Sequence, residues 1–216
     1  MTAKALLVDF GGVLTTSIVG ALRAFEEREG LPKGLIFEVL AEAYVDHEGV
    51  HPISRLERGE ITGDEFDAAI MAEMRARGHQ SDITTLYRGM LSGLGSDPAM
   101  WAVVHRARAA GIRTALLSNS WGDDLAYPRE QLDAAFDIIV ISGEVSLRKP
   151  DRAIYLHTAV AVGVDPIDCA FVDDLQRNVD GAVATGMFGV HHRDAATTAA
   201  ELEGFLAVDL TGTVTP

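Results

Sequence analysis

ALLVDFGGVLT (residues 5–15) runs four apolar residues, Ala5 to Val8, directly into Asp9 and the pair Gly11-Gly12. A short continuous apolar run that ends in a carboxylate and a glycine turn has the pattern of a parallel strand buried on both faces. Its carboxyl end opens into a loop, and in α/β folds that edge of the sheet is where ligands bind. Asp9 therefore sets two expectations together: a parallel sheet, and chemistry at its carboxyl edge.

The same pattern returns after a long interruption. IRTALLSNS (112–120), FDIIVIS (136–142), CAFVDD (169–174) and MFGVHH (187–192) read as four more strands. Asp97-Pro98 caps a helix whose apolar face is Met100, Val103, Val104 and Ala107. Further helices are expected near 124–133, 152–162 and 177–185, with Gly163 and Gly186 as stops, and ATTAAELEGF (196–205) as a last covering helix. Strand and helix alternation of this length requires crossover connections and a doubly wound parallel α/β sheet covered on both faces. Between 17 and 92 the patterning is helical only, broken by turn signals at Gly30, Gly49, Gly59, Gly78 and Gly93. One start is clear there, the capping-box pair Thr62 and Glu65. The expected organisation is a core built from 1–16 and 93–216, with 17–92 as a helical insert.

Bulk properties remove several functions. The chain has 216 residues and a net charge of −14, so it repels nucleic-acid backbones and anionic membranes, and neither is an expected partner. No apolar run approaches the roughly 20 residues of a spanning helix, and no basic region followed by an apolar signal segment opens the chain; a cytoplasmic location is expected. Cys169 is the only cysteine, which rules out an intrachain disulfide and a thiolate zinc site; a buried strand position is its expected place.

Four polar clusters follow strands: Asp9; Ser118 with Asn119; Lys149 in LRKPD (147–151); and Asp173 with Asp174. Each alone has an ordinary reading as turn chemistry, a solvated loop or a helix cap. Together they share one rim, and if strands one and four are neighbours at the switch point, Asp9 and Asp174 converge with Ser118 on the flank. Carboxylates with a backbone carbonyl and water make a hard-oxygen site suited to Mg²⁺. A lysine ammonium and a serine hydroxyl opposite that ion would bracket a phosphoryl group.

The order Asp, Ser, Lys, Asp-Asp resembles that of the haloacid-dehalogenase-like hydrolase superfamily, over nearly the whole chain. VDFGGVLT (8–15), LLSNS (116–120), RKPD (148–151) and FVDDLQRN (171–178) look like its four motifs in turn. HPISRLERGEIT (51–62) and SGEVSLRKPDRAIY (142–155) look most like the phosphatase domain of soluble epoxide hydrolases and its bacterial relatives. The resemblance implies a Mg²⁺-dependent phosphohydrolase that acts on a small phosphorylated metabolite through an aspartyl-phosphate. It makes Asp9 the nucleophile and a metal ligand, Ser118, Asn119 and Lys149 the phosphate binders, and Asp174 the main acidic ligand. Asp173 and Asn178 then support from behind, and residues 17–92 become a cap of the C1 type. Only 31 positions separate Ser118 from Lys149, which leaves no room for a cap there. A monomer or a homodimer is expected. A receiver domain of two-component signalling carries its acidic pair early and lacks such an insert.

Gly11 departs from the pattern. Phosphatases of the superfamily usually carry Asp two residues after the nucleophile, where its carboxyl protonates the leaving oxygen and its carbonyl ligates Mg²⁺. Gly11 retains the carbonyl and loses the acid. A catalytically weak phosphate-binding or regulatory protein is therefore the alternative reading. A haloacid dehalogenase is the third, although such an enzyme would leave Asp173 and Asp174 without a task. His47 and His51 are candidates for a substitute acid, against an ordinary structural reading. Trp121 is a candidate pocket wall or a packing residue, and Arg55 and Arg58 are candidate substrate contacts or a solvated face. His191 and His192 read as rim residues.

Overall fold

The computed structural model of the chain describes residues 3–42, 49–79, 83, 86–119 and 127–211. Strands β1 (Ala5–Val8), β2 (Arg113–Ser118), β3 (Ile138–Ile141), β4 (Cys169–Asp173) and β5 (Phe188–His191) form one parallel sheet in the order β3-β2-β1-β4-β5. The connections leave β1 toward β2 and β3 on one side and reach β4 and β5 on the other. The switch point therefore lies between β1 and β4.

Helices α6 (Pro98–Ala109), α7 (Arg129–Ala135) and α11 (Ala195–Leu206) cover one face of the sheet, against Leu6, Val8, Leu116, Val172 and Val190. Helices α9 (Arg152–Val162) and α10 (Gln176–Val183) cover the other, against Leu7, Ala115, Leu117 and Phe171. Alternate residues of β1 to β4 thus enter opposite cores, which is why these strands read as apolar runs. Asp97 caps α6 by accepting from the Ala99 and Met100 amides at 3.0 Å each, as the sequence implied. The helix expected near 124–133 runs from Arg129 to Ala135; residues 120–126 lie outside those described. A short helix that the sequence did not announce, α8 (Ser142–Val145), follows β3. Its Ser142 hydroxyl donates to the Glu57 carbonyl, a tertiary contact that no local pattern signals.

Residues 18–91 supply α1 (Ile18–Arg28), α2 (Leu35–Ala41), α3 (Pro52–Glu57), α4 (Gly63–Ala76) and α5 (Leu86–Leu91). They pack around their own apolar cluster, with Phe25, Ile36, Leu56, Phe66, Ile70 and Met74 at its centre. The capping box at the start of α4 is formed: Thr62 Oγ1 accepts from the Glu65 amide at 3.2 Å, and Glu65 accepts from the Thr62 amide at 2.8 Å. The two strands of chain that enter and leave this block run side by side. Thr16 N donates to Gly95 O at 2.7 Å and Asp97 N to Leu14 O at 2.9 Å, around a Thr15–Ser96 bridge.

One buried ion pair ties α3 to the core. Arg148 meets Glu57 at 2.6 Å with both side chains about nine-tenths buried, and Arg148 also donates to Ser54 Oγ at 3.2 Å. Removing one partner leaves the other charged and desolvated, which typically costs about 3 to 5 kcal/mol. Arg148→Met and Glu57→Leu should therefore each lower the unfolding temperature markedly, and the double variant should recover most of the loss. Additive losses in thermal unfolding would contradict this.

Candidate active site

The sheet register brings the acidic residues together. Val8 of β1 pairs with Val172 of β4, so Asp9 and Asp173 leave neighbouring strands side by side. The Asp9 amide continues the ladder by donating to Val172 O at 2.9 Å. On the other flank Val8 pairs with Leu116, which places Ser118 at the same edge.

Lys149 lies between the carboxylates. Its Nζ is 2.6 Å from Asp9 Oδ1 and 2.7 Å from Asp173 Oδ2, and the side chain is 1% exposed. Burial lowers its pKa, but Asp173 and Asp9 outweigh burial and hold the ammonium charged, above its ordinary pKa. The loop that carries Lys149 is aligned by Asn119: its Oδ1 accepts from the Lys149 amide at 2.8 Å, and its Nδ2 donates to the Lys149 carbonyl at 3.1 Å. This reciprocal pair links β2 to the loop after α8.

Asp173 is spoken for on both oxygens. Oδ1 accepts from the Leu175 amide at 2.8 Å and from Asn178 Nδ2 at 3.0 Å, and Oδ2 faces Lys149. Asp174 instead lines the cavity, with Asp9, Ser118, Asn119, Lys149 and Asn178. Gly12 is required beside it: its φ is +78°, and a Cβ there would sit 2.3 Å from Asp174 Oδ2.

Asp9, Asp173 and Asp174 each bring an oxygen within 4.8 Å of the others. Three carboxylates against one ammonium leave surplus negative charge. Burial pushes Asp9 up to about 8, against the pull of Lys149, with Asp173 and Asp174 adding to the push. Burial, then Asp173, raises Asp174 to about 6. Asn178 Oδ1 is buried with no hydrogen-bond partner among the described residues, so acceptor capacity remains as well. Clustered hard-oxygen donors with excess negative charge and a spare acceptor fit a small divalent cation.

Residues 3–186 match the family model described as a hydrolase, haloacid dehalogenase-like hydrolase. The chain belongs to the haloacid dehalogenase-like hydrolases. Among curated relatives of this hydrolase, bifunctional epoxide hydrolase 2 of Rattus norvegicus is 26% identical over 218 residues, which cover 94% of this chain and 39% of that protein. The chain thus spans about two-fifths of the mammalian epoxide hydrolases it matches. The sesquiterpene phosphatase astK of Aspergillus oryzae is 28% identical over 204 residues, covering 93% of this chain and 95% of that one. A HAD family enzyme from Bacteroides thetaiotaomicron, solved with magnesium and inorganic phosphate, superposes with a TM-score of 0.61 at 21% identity; the match covers 88% of this chain and 94% of that one. That likeness shows the fold.

Among the other described residues singled out in the sequence, His51, Arg55 and Arg58 engage partners within residues 39–60, whereas His191 sits against Asp174. His51 caps α3: its Nδ1 accepts from the Ile53 amide at 3.2 Å, and its Nε2 faces Val39 O at 3.1 Å. Arg58 pairs with Glu60 at 2.5 Å and reaches Gly49 O at 2.6 Å, and Arg55 lies 3.7 Å from Glu60. His191 Nε2 meets the Asp174 carbonyl at 3.0 Å, and His192 meets Thr198 Oγ1 at 2.9 Å. His47 and Trp121 lie outside the described residues. Cys169 is buried on β4, where burial pushes its thiol up to about 12 and leaves it unreactive.

Three features had no sequence signal. Arg148 and Glu57, 91 positions apart, both line the cavity as an ion pair. Ile18 leans over Gly11, with its Cδ1 2.7 Å from where a Cβ would stand. Tyr127 meets Ser118 from behind.

Proposed function

We propose that this hydrolase is a Mg²⁺-dependent phosphohydrolase that acts on a small phosphorylated metabolite through an aspartyl-phosphate on Asp9. The observation that carries the reading is the convergence of Asp9, Lys149, Asp173 and Asp174 at the switch point of the sheet. Asp9, Asp174 and the Gly11 carbonyl would hold Mg²⁺, which supplies charge neutralisation for the phosphoryl oxygens. Asp9 attacks phosphorus in line with the leaving oxygen, and water then cleaves the acyl phosphate. Lys149 and Ser118 bind the equatorial oxygens and Asn119 sets the Lys149 loop. Asn178 orients Asp173, and Asp173 in turn orients Lys149 and, with Asp9, keeps it charged. We read residues 17–92 as a cap over this crevice. Five of its side chains, Ile18, Leu22, Phe37, Leu40 and Ile53, make an apolar wall opposite the carboxylates, which suits a leaving group with an apolar part. The name of the Aspergillus relative agrees with that chemistry. The test is a screen of phosphate esters with and without Mg²⁺; metal-independent turnover, or none, would overturn the reading.

The weakly catalytic alternative draws on Gly11 and Ile18, since no acid stands at that position. The dehalogenase reading has no comparable support, because it leaves Asp174, which faces the cavity, without a task.

Metal affinity should depend on pH. Asp9 and Asp174 titrate near 8 and 6 in the metal-free protein, so the ion must displace protons below those values. Calorimetry should show Mg²⁺ binding that tightens from pH 6 to pH 8, with protons released, and that is lost in Asp174→Ala. Both folded-state values lie above those of an unfolded carboxyl. The stabilisation they give is full in acid and fades as pH rises through 6 and then 8. The unfolding temperature gained from Mg²⁺ should therefore grow over the same range; a pH-independent gain would refute the assignment of ligands.

A further inference from the structure

Ser118 and Tyr127 are both buried, and their hydroxyl oxygens are 2.9 Å apart. Only Ser118 lines the cavity. Tyr127 stands behind it, its ring packed on Phe10 with centroids 5.0 Å apart, so it braces the residue next to Asp9 at the same time.

The direction of this hydrogen bond has a consequence. Among the described residues, Ser118 Oγ is the one hydrogen-bond partner of the Tyr127 hydroxyl, whereas Ser118 has a second acceptor in reach, the Asn119 carbonyl at 3.4 Å. If Ser118 donated to Tyr127, the tyrosine proton would be buried without an acceptor among the described residues, which is the costlier arrangement. Tyr127 therefore donates and Ser118 accepts. The serine proton is then free to leave its long contact with Asn119 O for a stronger, charged acceptor in the cavity. Burial also raises the Tyr127 pKa above its ordinary value, so the phenol remains a donor throughout the working range.

We propose that Tyr127 is a positioning residue that fixes the Ser118 hydroxyl as a donor toward the transferred phosphoryl group. This rests on the phosphohydrolase reading above. Tyr127 itself touches no substrate; it acts through Ser118.

The experiment is a double-mutant cycle on Ser118→Ala and Tyr127→Phe, read as the affinity for inorganic phosphate in the presence of Mg²⁺ and as KM and kcat for a phosphate ester. Ser118→Ala should weaken phosphate binding by about tenfold, as expected for one hydrogen bond to a charged acceptor. Tyr127→Phe, which keeps the ring against Phe10, should produce most of that loss, seen in KM more than in kcat. In the Ser118→Ala background it should have no further effect. Replacing Tyr127 by 3-fluorotyrosine, which keeps the hydroxyl, should preserve phosphate affinity. Equal losses from Tyr127→Phe in both backgrounds would show a general packing role and overturn the proposal, as would an unchanged affinity in the single variant. Failure of the natural protein to bind phosphate with Mg²⁺ would overturn the phosphohydrolase reading first, and this proposal with it.

Discussion

Asp9→Asn should lower kcat by a factor on the order of 10⁴ or more, the scale of losing a nucleophile in covalent catalysis. The asparagine occupies the same space and can still continue the ladder to Val172. It cannot form the acyl phosphate. Stability should move the other way or not at all. Lys149 keeps Asp173 at 2.7 Å, and one of three mutually repelling carboxylates is gone. The metal-free variant should therefore unfold at the same temperature as the natural protein or above it, while Mg²⁺ binds more weakly. The measurements are steady-state kinetics on a phosphate ester and thermal unfolding with and without metal. A kcat within tenfold of the natural value would show that water attacks phosphorus directly and that Asp9 is only a ligand.

The second large effect concerns the acid that position 11 lacks. A leaving oxygen that departs unprotonated must be a weak base, so turnover should fall steeply as its pKa rises: aryl and acyl phosphates should outrun alkyl phosphates. Gly11→Asp should restore the proton, and general acid catalysis is typically worth about 10² to 10⁴ in rate. The backbone permits the change. Unlike Gly12, Gly11 does not sit in the left-handed region, and the obstacle is the end of a side chain, Ile18 Cδ1 at 2.7 Å. Combining Gly11→Asp with Ile18→Val removes that atom. The double variant should raise alkyl-phosphate turnover by about 10², with a much smaller gain on aryl phosphates. The test is log kcat/KM plotted against leaving-group pKa for both proteins, at matched metal affinity. A shallow slope in the natural protein would mean that another group already supplies the proton. His51 is a poor source, because its two ring nitrogens face Ile53 N and Val39 O.

Apolar periodicity carried the fold. Val8 and Val172 had to be strand residues because continuous apolar runs of that length pack on both faces of a parallel sheet, and Asp9 and Asp173 had to follow them at its edge. The motif residues were legible for the same reason, since each stands within a residue or two of a strand end or in the loop behind one. The caps of α4 and α6 were legible too, because their hydrogen bonds are local. Long-range pairing was not. Nothing near Arg148 in the chain names Glu57, and nothing near Ser118 names Tyr127; those partners are chosen by how α3 and the chain after β2 dock. The division of labour between Asp173 and Asp174 also needed three dimensions. Adjacent residues point to opposite sides at the end of a strand, so one carboxylate turns inward to Lys149 and Asn178 while its neighbour faces the cavity. Gly11 could be seen in the sequence as an acid missing from its place; only the tertiary structure set an isoleucine over it, because α1 folds back across the loop after β1.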